Sequence, residues 1–250
     1  MRMKRLGIAT VGLLASIAAA AGIYSAATPS SVGAHLTSTS TPIVFNPCWA
    51  INHGKYLHST GKARRAMFAL SPSYTSSYVV VTECIKSGNT WTKLYQTNGR
   101  AGYNGFAHWQ QKREGDGKSP TGIFPLLSAF GNKNPGTYLP YRTLHTSGDC
   151  WGSTPGQPHY NQYYSGHCLP TDENLSATML RGPYRQAVVI GYNLPHPAQG
   201  LGSAIFFHVG GTGSTAGCIA INQTTLTRIM HTLHTNDYMV MGPKTTLFRS

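Results

Sequence analysis

Five cysteines set the tightest limit on how this 250-residue chain can fold: Cys48, Cys84, Cys150, Cys168 and Cys218. What they imply depends on the compartment, and the N-terminus bears on that. Arg2, Lys4 and Arg5 precede an apolar run from Leu6 to about Ile23, and Ser25-Ala26-Ala27 then offers small residues suited to cleavage. This is the pattern of a signal peptide over residues 1–27. Val32-Gly33-Ala34 offers a second cut, and an uncleaved anchor is the alternative, although the run is rich in Ala, Gly and Ser and only weakly apolar. Either way the remainder leaves the cytosol and is expected to be secreted or held at the cell wall. In an oxidising compartment four cysteines pair and one is left over. Proximity in sequence pairs Cys48 with Cys84 and Cys150 with Cys168. The remaining thiol is then Cys218, in Ser214-Thr215-Ala216-Gly217-Cys218-Ile219. A glycine-flanked cysteine in a polar loop is a poor core position, so a reactive thiol is expected.

Residues 28–42 are rich in Ser, Thr and Pro and read as a linker. That leaves 43–250 as one folded domain. Lys and Arg number 20 against 7 Asp and Glu, a formal charge of +13, so some polyanion is an expected partner. Nucleic acid, lipid headgroups and anionic cell-wall polymer all suit such a charge. Export favours the wall polymer, and nucleic acid is not expected.

Short runs rich in β-branched residues and bounded by Gly, Asn and Pro predict a mainly β fold with a few short helices. Strands are expected over Tyr78–Ile85, Trp91–Gln96, Gly122–Leu127, Ala187–Tyr192, Ala204–Val209 and Tyr238–Met241. Ser87-Gly88-Asn89 marks a hairpin between the first two, and Asn98-Gly99 reads as another turn. Leu226, Ile229, Met230 and Leu233 form one apolar stripe at helical spacing, with Asn222 as N-cap. A second short helix is expected over Ser176–Leu180. The segment from Asn132 to Pro170 reads as a long insertion.

The chemistry concentrates in Ser203–Asn222. An apolar strand ends in His208; a loop with Gly210, Gly211 and Gly213 follows, then Cys218 and an Ile219-Ala220-Ile221 strand. Strand, loop and strand in a hairpin-like arrangement bring His208 beside Cys218. A free thiol has a pKa near 8.5, so an adjacent imidazole is needed to take its proton. On this reading the thiolate is held as an ion pair below its free value, and His208 later protonates a leaving amine. Backbone N–H groups around Ala216, Gly217 and Cys218 can face a developing oxyanion. Ser214, Thr215 or a main-chain carbonyl can orient the imidazole.

The segment HVGGTGSTAGCIAI resembles the His-to-Cys motif of the L,D-transpeptidase catalytic domain, the YkuD-like family. Arg113 to Gly122 (REGDGKSPTG) is similar to that family's EGDGKTPxG segment, and Gly202 to His208 to its GSAIFxH strand. Trp151 followed by Tyr160-Asn161 is similar to a segment of one branch. The resemblance covers about residues 75–243. It implies a YkuD-like β-sandwich or barrel and acyl transfer on peptidoglycan stem peptides, with Cys218 as nucleophile, His208 as base and Gly217 in the oxyanion region. The thiolate attacks the carbonyl of a diamino acid in a donor stem, D-Ala leaves, and an acceptor amine resolves the thioester. Water in place of that amine gives an L,D-carboxypeptidase or another cysteine hydrolase. A non-catalytic wall-binding module needs neither residue.

The chain departs from the pattern at Ala220, where many members carry arginine, and at Gly152-Ser153-Thr154-Pro155, where related sequences often carry an Asp pair. Glu114 and Asp116 read as structural carboxylates, since His208 covers the acid–base work. His231 and His234 read as solvated helix residues, and His145 and His196 as surface residues. No cofactor or metal is expected, because no ligand-like spacing accompanies these histidines.

Overall fold

Twelve strands and four short α-helices form from residues 44–249, the part of the chain that the computed structural model describes. The signal-peptide and linker expectations over residues 1–27 and 28–42 fall outside the described residues. A single helical turn and a half, α1 (Pro47–Asn52), leads into β1 (Arg65–Ser71), β2 (Tyr78–Ser87), β3 (Thr90–Arg100) and β4 (Gly122–Gly131). Three short strands follow in the expected insertion: β5 (Tyr141–Thr143), β6 (Asp149–Trp151) and β7 (Tyr163–Ser165). Then come β8 (Glu173–Asn174), α2 (Leu175–Arg181), a 3-10 turn at Pro183–Arg185 and β9 (Gln186–Ile190). The chain finishes with β10 (Phe206–Val209), β11 (Ile219–Ile221), α3 (Gln223–Met230), β12 (Tyr238–Pro243) and α4 (Lys244–Leu247).

The sheet runs β12-β1-β2-β3-β11-β10-β9-β4, and β4 pairs back onto β12. The mainly β fold is therefore a closed eight-stranded barrel, with β5 attached to β4 and a separate β7-β6-β8 sheet beside it. Closure leaves no exposed edge along the barrel. Met67, Val81, Leu126, Val188, Phe207, Ile219 and Met239 meet in one core, and Leu226, Ile229 and Met230 of α3 join it. Fully burying such a side chain contributes about 1.5–3 kcal/mol. Among the described residues no helix is long and apolar enough to cross a membrane.

The hairpin of β2 and β3 turns at Gly88, which holds a φ of 56°. Asn98-Gly99, by contrast, lies inside β3 and makes no turn. Gly99 is there for close packing: a Cβ would come within 2.8 Å of the Ala220 carbonyl oxygen on β11. β1 carries no alternating pattern because both of its faces are covered. Met67 and Ala69 face the barrel core, while Ala66, Phe68 and Leu70 pack with Trp91 and the Cys48–Cys84 disulfide. The Asn222 side chain caps α3 by accepting from the Thr225 amide at 2.9 Å. The helix stops at Met230, so Leu233, although buried in the same core, lies beyond it. His231 and His234 accordingly sit past the helix body rather than on it. Cys150 and Cys168 are bonded as the second disulfide and tie β6 to the chain after β7.

Candidate active site

Cys218 and His208 arrive at one place by a different route from a hairpin. β10 and β11 are adjacent and parallel, with Phe207 opposite Ile219 and His208 opposite Ala220. Nine residues, 210–218, make the return connection without a helix. They suffice because the strands they span are only four and three residues long. Side chains alternate across the sheet. Phe207, Ile219 and Ile221 enter the barrel core. Phe206 and Cys218 lie on the outer face, packed with Tyr184, Leu175, Met179 and Trp151. His208, two residues from Phe206, shares that face, and His208 and Cys218 line one cavity of about 470 Å³.

The thiol is held by the backbone of the strand beside it. Cys218 Sγ donates to the Ala204 carbonyl at 3.2 Å and accepts from the Phe206 amide at 3.3 Å. Ala204 has a φ of 51°, a left-handed conformation that costs an alanine energy unless its surroundings impose it. Asn161 imposes it. Its Oδ1 accepts from the Ala204 amide and from Trp151 Nε1, both at 3.0 Å, and its Nδ2 donates to the Tyr192 and Asn193 carbonyls. The neighbouring Tyr160 hydroxyl accepts from the Gly202 amide at 2.9 Å and donates to Glu114 at 2.7 Å. The insertion thus shapes the 202–204 segment that touches the sulfur.

A second support comes from the 113–122 segment. Ser119 Oγ donates to the Gly217 carbonyl at 2.7 Å and accepts from the Gly102 amide at 2.9 Å. Asp116 accepts from Lys112 Nζ and from the Arg113 and Lys118 amides, all at 2.8–2.9 Å, which fixes the turn carrying Ser119. Gly217 has a φ of 152°, and a Cβ there would press within 2.9 Å of the Lys118 carbonyl. Its own amide donates to Thr215 Oγ1 at 3.1 Å, and that hydroxyl donates to the Cys218 carbonyl at 2.7 Å.

His208 Nδ1 lies 2.8 Å from the Val209 carbonyl. A carbonyl only accepts, so Nδ1 carries the proton and Nε2 presents its lone pair. The main-chain carbonyl, not Ser214 or Thr215, is therefore the group that orients the ring. Ser214 lines the cavity in an exposed position, with no hydrogen bond to His208. The Tyr184 ring packs edge-on against the imidazole, with centroids 5.3 Å apart.

Burial dominates the electrostatics. It pushes the Cys218 thiol up to about 12 and the His208 imidazole down to about 4. No hydrogen bond joins the two side chains. The pair in this structure is a neutral thiol and a neutral imidazole, not the ion pair that adjacency alone leads one to expect, because both groups are sealed beneath α2 and the 3-10 turn.

Four more side chains line the cavity that their sequence contexts did not single out. The Glu173 carboxyl is raised by burial and receives the Thr178 hydroxyl at 3.3 Å. Tyr184 is buried, and burial first and the nearby Glu173 carboxylate second hold its hydroxyl well above the ordinary value. Lys112 Nζ is nearly sealed and bound to Asp116. Ser203 Oγ is buried with no hydrogen-bond partner among the described residues. Ala220 also lines the cavity, so the cation present there is Lys112 rather than an arginine after the cysteine. Ser203 opened the Ser203–Asn222 segment and Lys112 stood next to the 113–122 segment, although neither context pointed to the side chain itself; Tyr184 and Glu173 lie in stretches with no chemical pattern. His145, His196, His231 and His234 lie outside the cavity. Among the described residues no group of three or more His, Cys, Asp or Glu is placed to hold a metal.

The arrangement suits attack by sulfur on a carbonyl, with proton transfer to His208. Compared with known proteins, the chain matches no family model and no curated relative.

Proposed function

We propose that the protein is an exported L,D-transpeptidase that acts on peptidoglycan stem peptides, with a YkuD-like catalytic domain. One observation carries the reading. The only cysteine outside the two disulfides shares a cavity with a histidine whose free nitrogen is the basic one. The two disulfides accord with a location outside the cytosol.

With thiol and imidazole near 12 and 4, separated charges lie of order 10 kcal/mol above the neutral pair before their mutual attraction is counted. Proton transfer is therefore coupled to bond formation. The Sγ–H turns from the Ala204 carbonyl toward His208 Nε2, which takes the proton as sulfur attacks the donor carbonyl carbon. The tetrahedral intermediate collapses, the C–N bond breaks, and the imidazolium gives its proton to the departing amine of D-Ala. An acceptor amine then attacks the thioester, yields its proton to His208, and releases the sulfur, which regains a proton.

A second reading has its own observation: Cys218 is 7% exposed and hydrogen-bonded on both sides, as an inert structural thiol would be. Mass spectrometry of products from a disaccharide tetrapeptide separates the readings. A cross-linked dimer that disappears in Cys218→Ala and His208→Ala is the expected result. A tripeptide in place of the dimer means hydrolysis by the same pair. No product means that the thiol is structural.

A further inference from the structure

All seven Asp and Glu side chains lie within the described residues, and none is fully exposed. Each accepts at least one internal hydrogen bond. Only Arg65 and Lys112, among the lysines and arginines of the described residues, pair with a carboxylate. Three of the seven carboxylates are buried and four are half-buried, so the fully exposed positions carry cations with no acidic residue among them, and at one place the cations gather around a concavity.

That place is a pocket of about 430 Å³ where the start of β1, the end of β2 and the start of β12 meet. Lys62, Arg64 and Lys86 line it, and the first two are exposed. The Lys86 amide donates to the Arg64 carbonyl at 2.8 Å, which fixes these two like charges as cross-strand neighbours. Such a juxtaposition is destabilising. The lining holds one carboxylate, Asp237, and it is turned inward, accepting from the His234 amide at 2.8 Å and lying 3.9 Å from Arg65 Nε. Lys86 Nζ lies 5.9 Å from the Trp91 ring centroid, a contact that steadies one of the two charges without neutralising it, and an anion seated in the pocket would offset the repulsion that remains.

We propose that this pocket binds the phosphate groups of a flexible phosphodiester polymer with a polyol backbone. Arginine and lysine together suit phosphate oxygens. The one aromatic ring in the lining is His234, and Tyr138 already stacks on one of its faces at 4.2 Å, so there is no run of rings on which successive bases could stack, which disfavours single-stranded nucleic acid. Ile85 is the only aliphatic residue in the lining, so an acyl chain has nowhere to go. The site is independent of Cys218.

The test is titration of the protein with poly(glycerol phosphate). Three phosphate contacts at about 0.7 each give a slope of about −2 in log affinity against log salt. K62Q/R64Q/K86Q should lose at least about tenfold in affinity while still unfolding cooperatively, the lost Lys86 contact with the Trp91 ring being set against the relief of like-charge repulsion. K133Q/R228Q/R249Q, which removes the same charge from exposed positions elsewhere, should lose less than about threefold. Equal losses in the two variants overturn the proposal, as does absence of binding. Tighter binding to a single-stranded oligonucleotide or to anionic lipid vesicles than to the polymer also overturns it.

Discussion

The Cys218 sulfur lies 3.2 Å from the Ala204 carbonyl oxygen, and that oxygen is aimed by a left-handed alanine. The thiol proton thus has a resting partner that is not His208. On the proposed mechanism, activation is a rotation of the S–H from one acceptor to another rather than a standing charge separation. Most of the measurable behaviour of the site follows from this.

Alkylation of the non-reduced protein should modify Cys218 alone, and slowly. With the thiol at about 12, the thiolate fraction at pH 7 is roughly a thousandfold below that of an ordinary cysteine. The rate should climb steeply above pH 9. Because no hydrogen bond links Cys218 to His208, His208→Ala should leave this resting profile in place while removing turnover. Rapid labelling near pH 7 would contradict the neutral pair.

Acid should weaken the fold through His208. Its folded value is depressed from 6.5 to about 4, so the stability conferred by keeping it neutral is complete above about pH 6.5. That stability is lost as pH falls toward 4, by about 3 kcal/mol in all. Glu83, Glu173 and Asp237, held above their ordinary values by burial, act in the opposite sense. The difference in urea unfolding free energy between wild type and His208→Gln cancels those carboxyls. It should shift against wild type by that amount between pH 7 and pH 4.

Asn161→Gly tests the support behind Ala204. Glycine tolerates the φ of 54° at this position but supplies none of the side-chain bonds to Ala204, Trp151, Tyr192 and Asn193. Leaving these buried groups unpaired should cost about 2–4 kcal/mol in thermal or chemical unfolding. Cys218 labelling at pH 8 should rise at the same time, because the Ala204 carbonyl no longer holds the thiol. A destabilised protein with unchanged labelling would separate Asn161 from the site.

The two disulfides close loops of 36 and 18 residues. On the chain-entropy account their removal costs about 4 and about 3 kcal/mol respectively. Cys48→Ala with Cys84→Ala should therefore lower the denaturant midpoint more than Cys150→Ala with Cys168→Ala. The second pair should have the larger effect on Cys218 labelling, since it braces β6, whose Trp151 bonds to Asn161. The reverse ranking in both assays would show that neither brace acts as described.

How much of this was open to reading from the sequence differs by element. Cysteine parity and proximity led to the two disulfides, a β-branched run led to β2, and alternation led to β3. The helical stripe led to α3, with its cap at Asn222 but an end three residues too far. β1 escaped because RAMFALS is covered on both faces and shows no period. Gly99 misled because a glycine demanded by a neighbouring backbone looks, in one dimension, like a turn. At the site, residues near in sequence and rich in glycine stood out, whereas Tyr184 and Glu173 reach the cavity only through tertiary packing. The charge state also lay beyond the sequence: adjacency argues for an ion pair, and only the depth of burial reverses the sign.

The parallel ladder between β10 and β11 separates two properties that a hairpin would tie together. In a hairpin the number of residues in the turn sets which positions face each other. Here His208 is paired within the ladder and Cys218 directly precedes its first paired residue on β11, Ile219, while the 210–217 part of the connection passes outside that register. Its length is a free variable: doubling it adds only about 0.6 kcal/mol of closure entropy. A longer excursion can become a flap over the cavity, or a shorter one a bare rim, while sulfur and imidazole keep their relative coordinates. Selectivity and chemistry can therefore be engineered on this scaffold as separate modules, with insertions at Gly211 to Gly213 as the entry point.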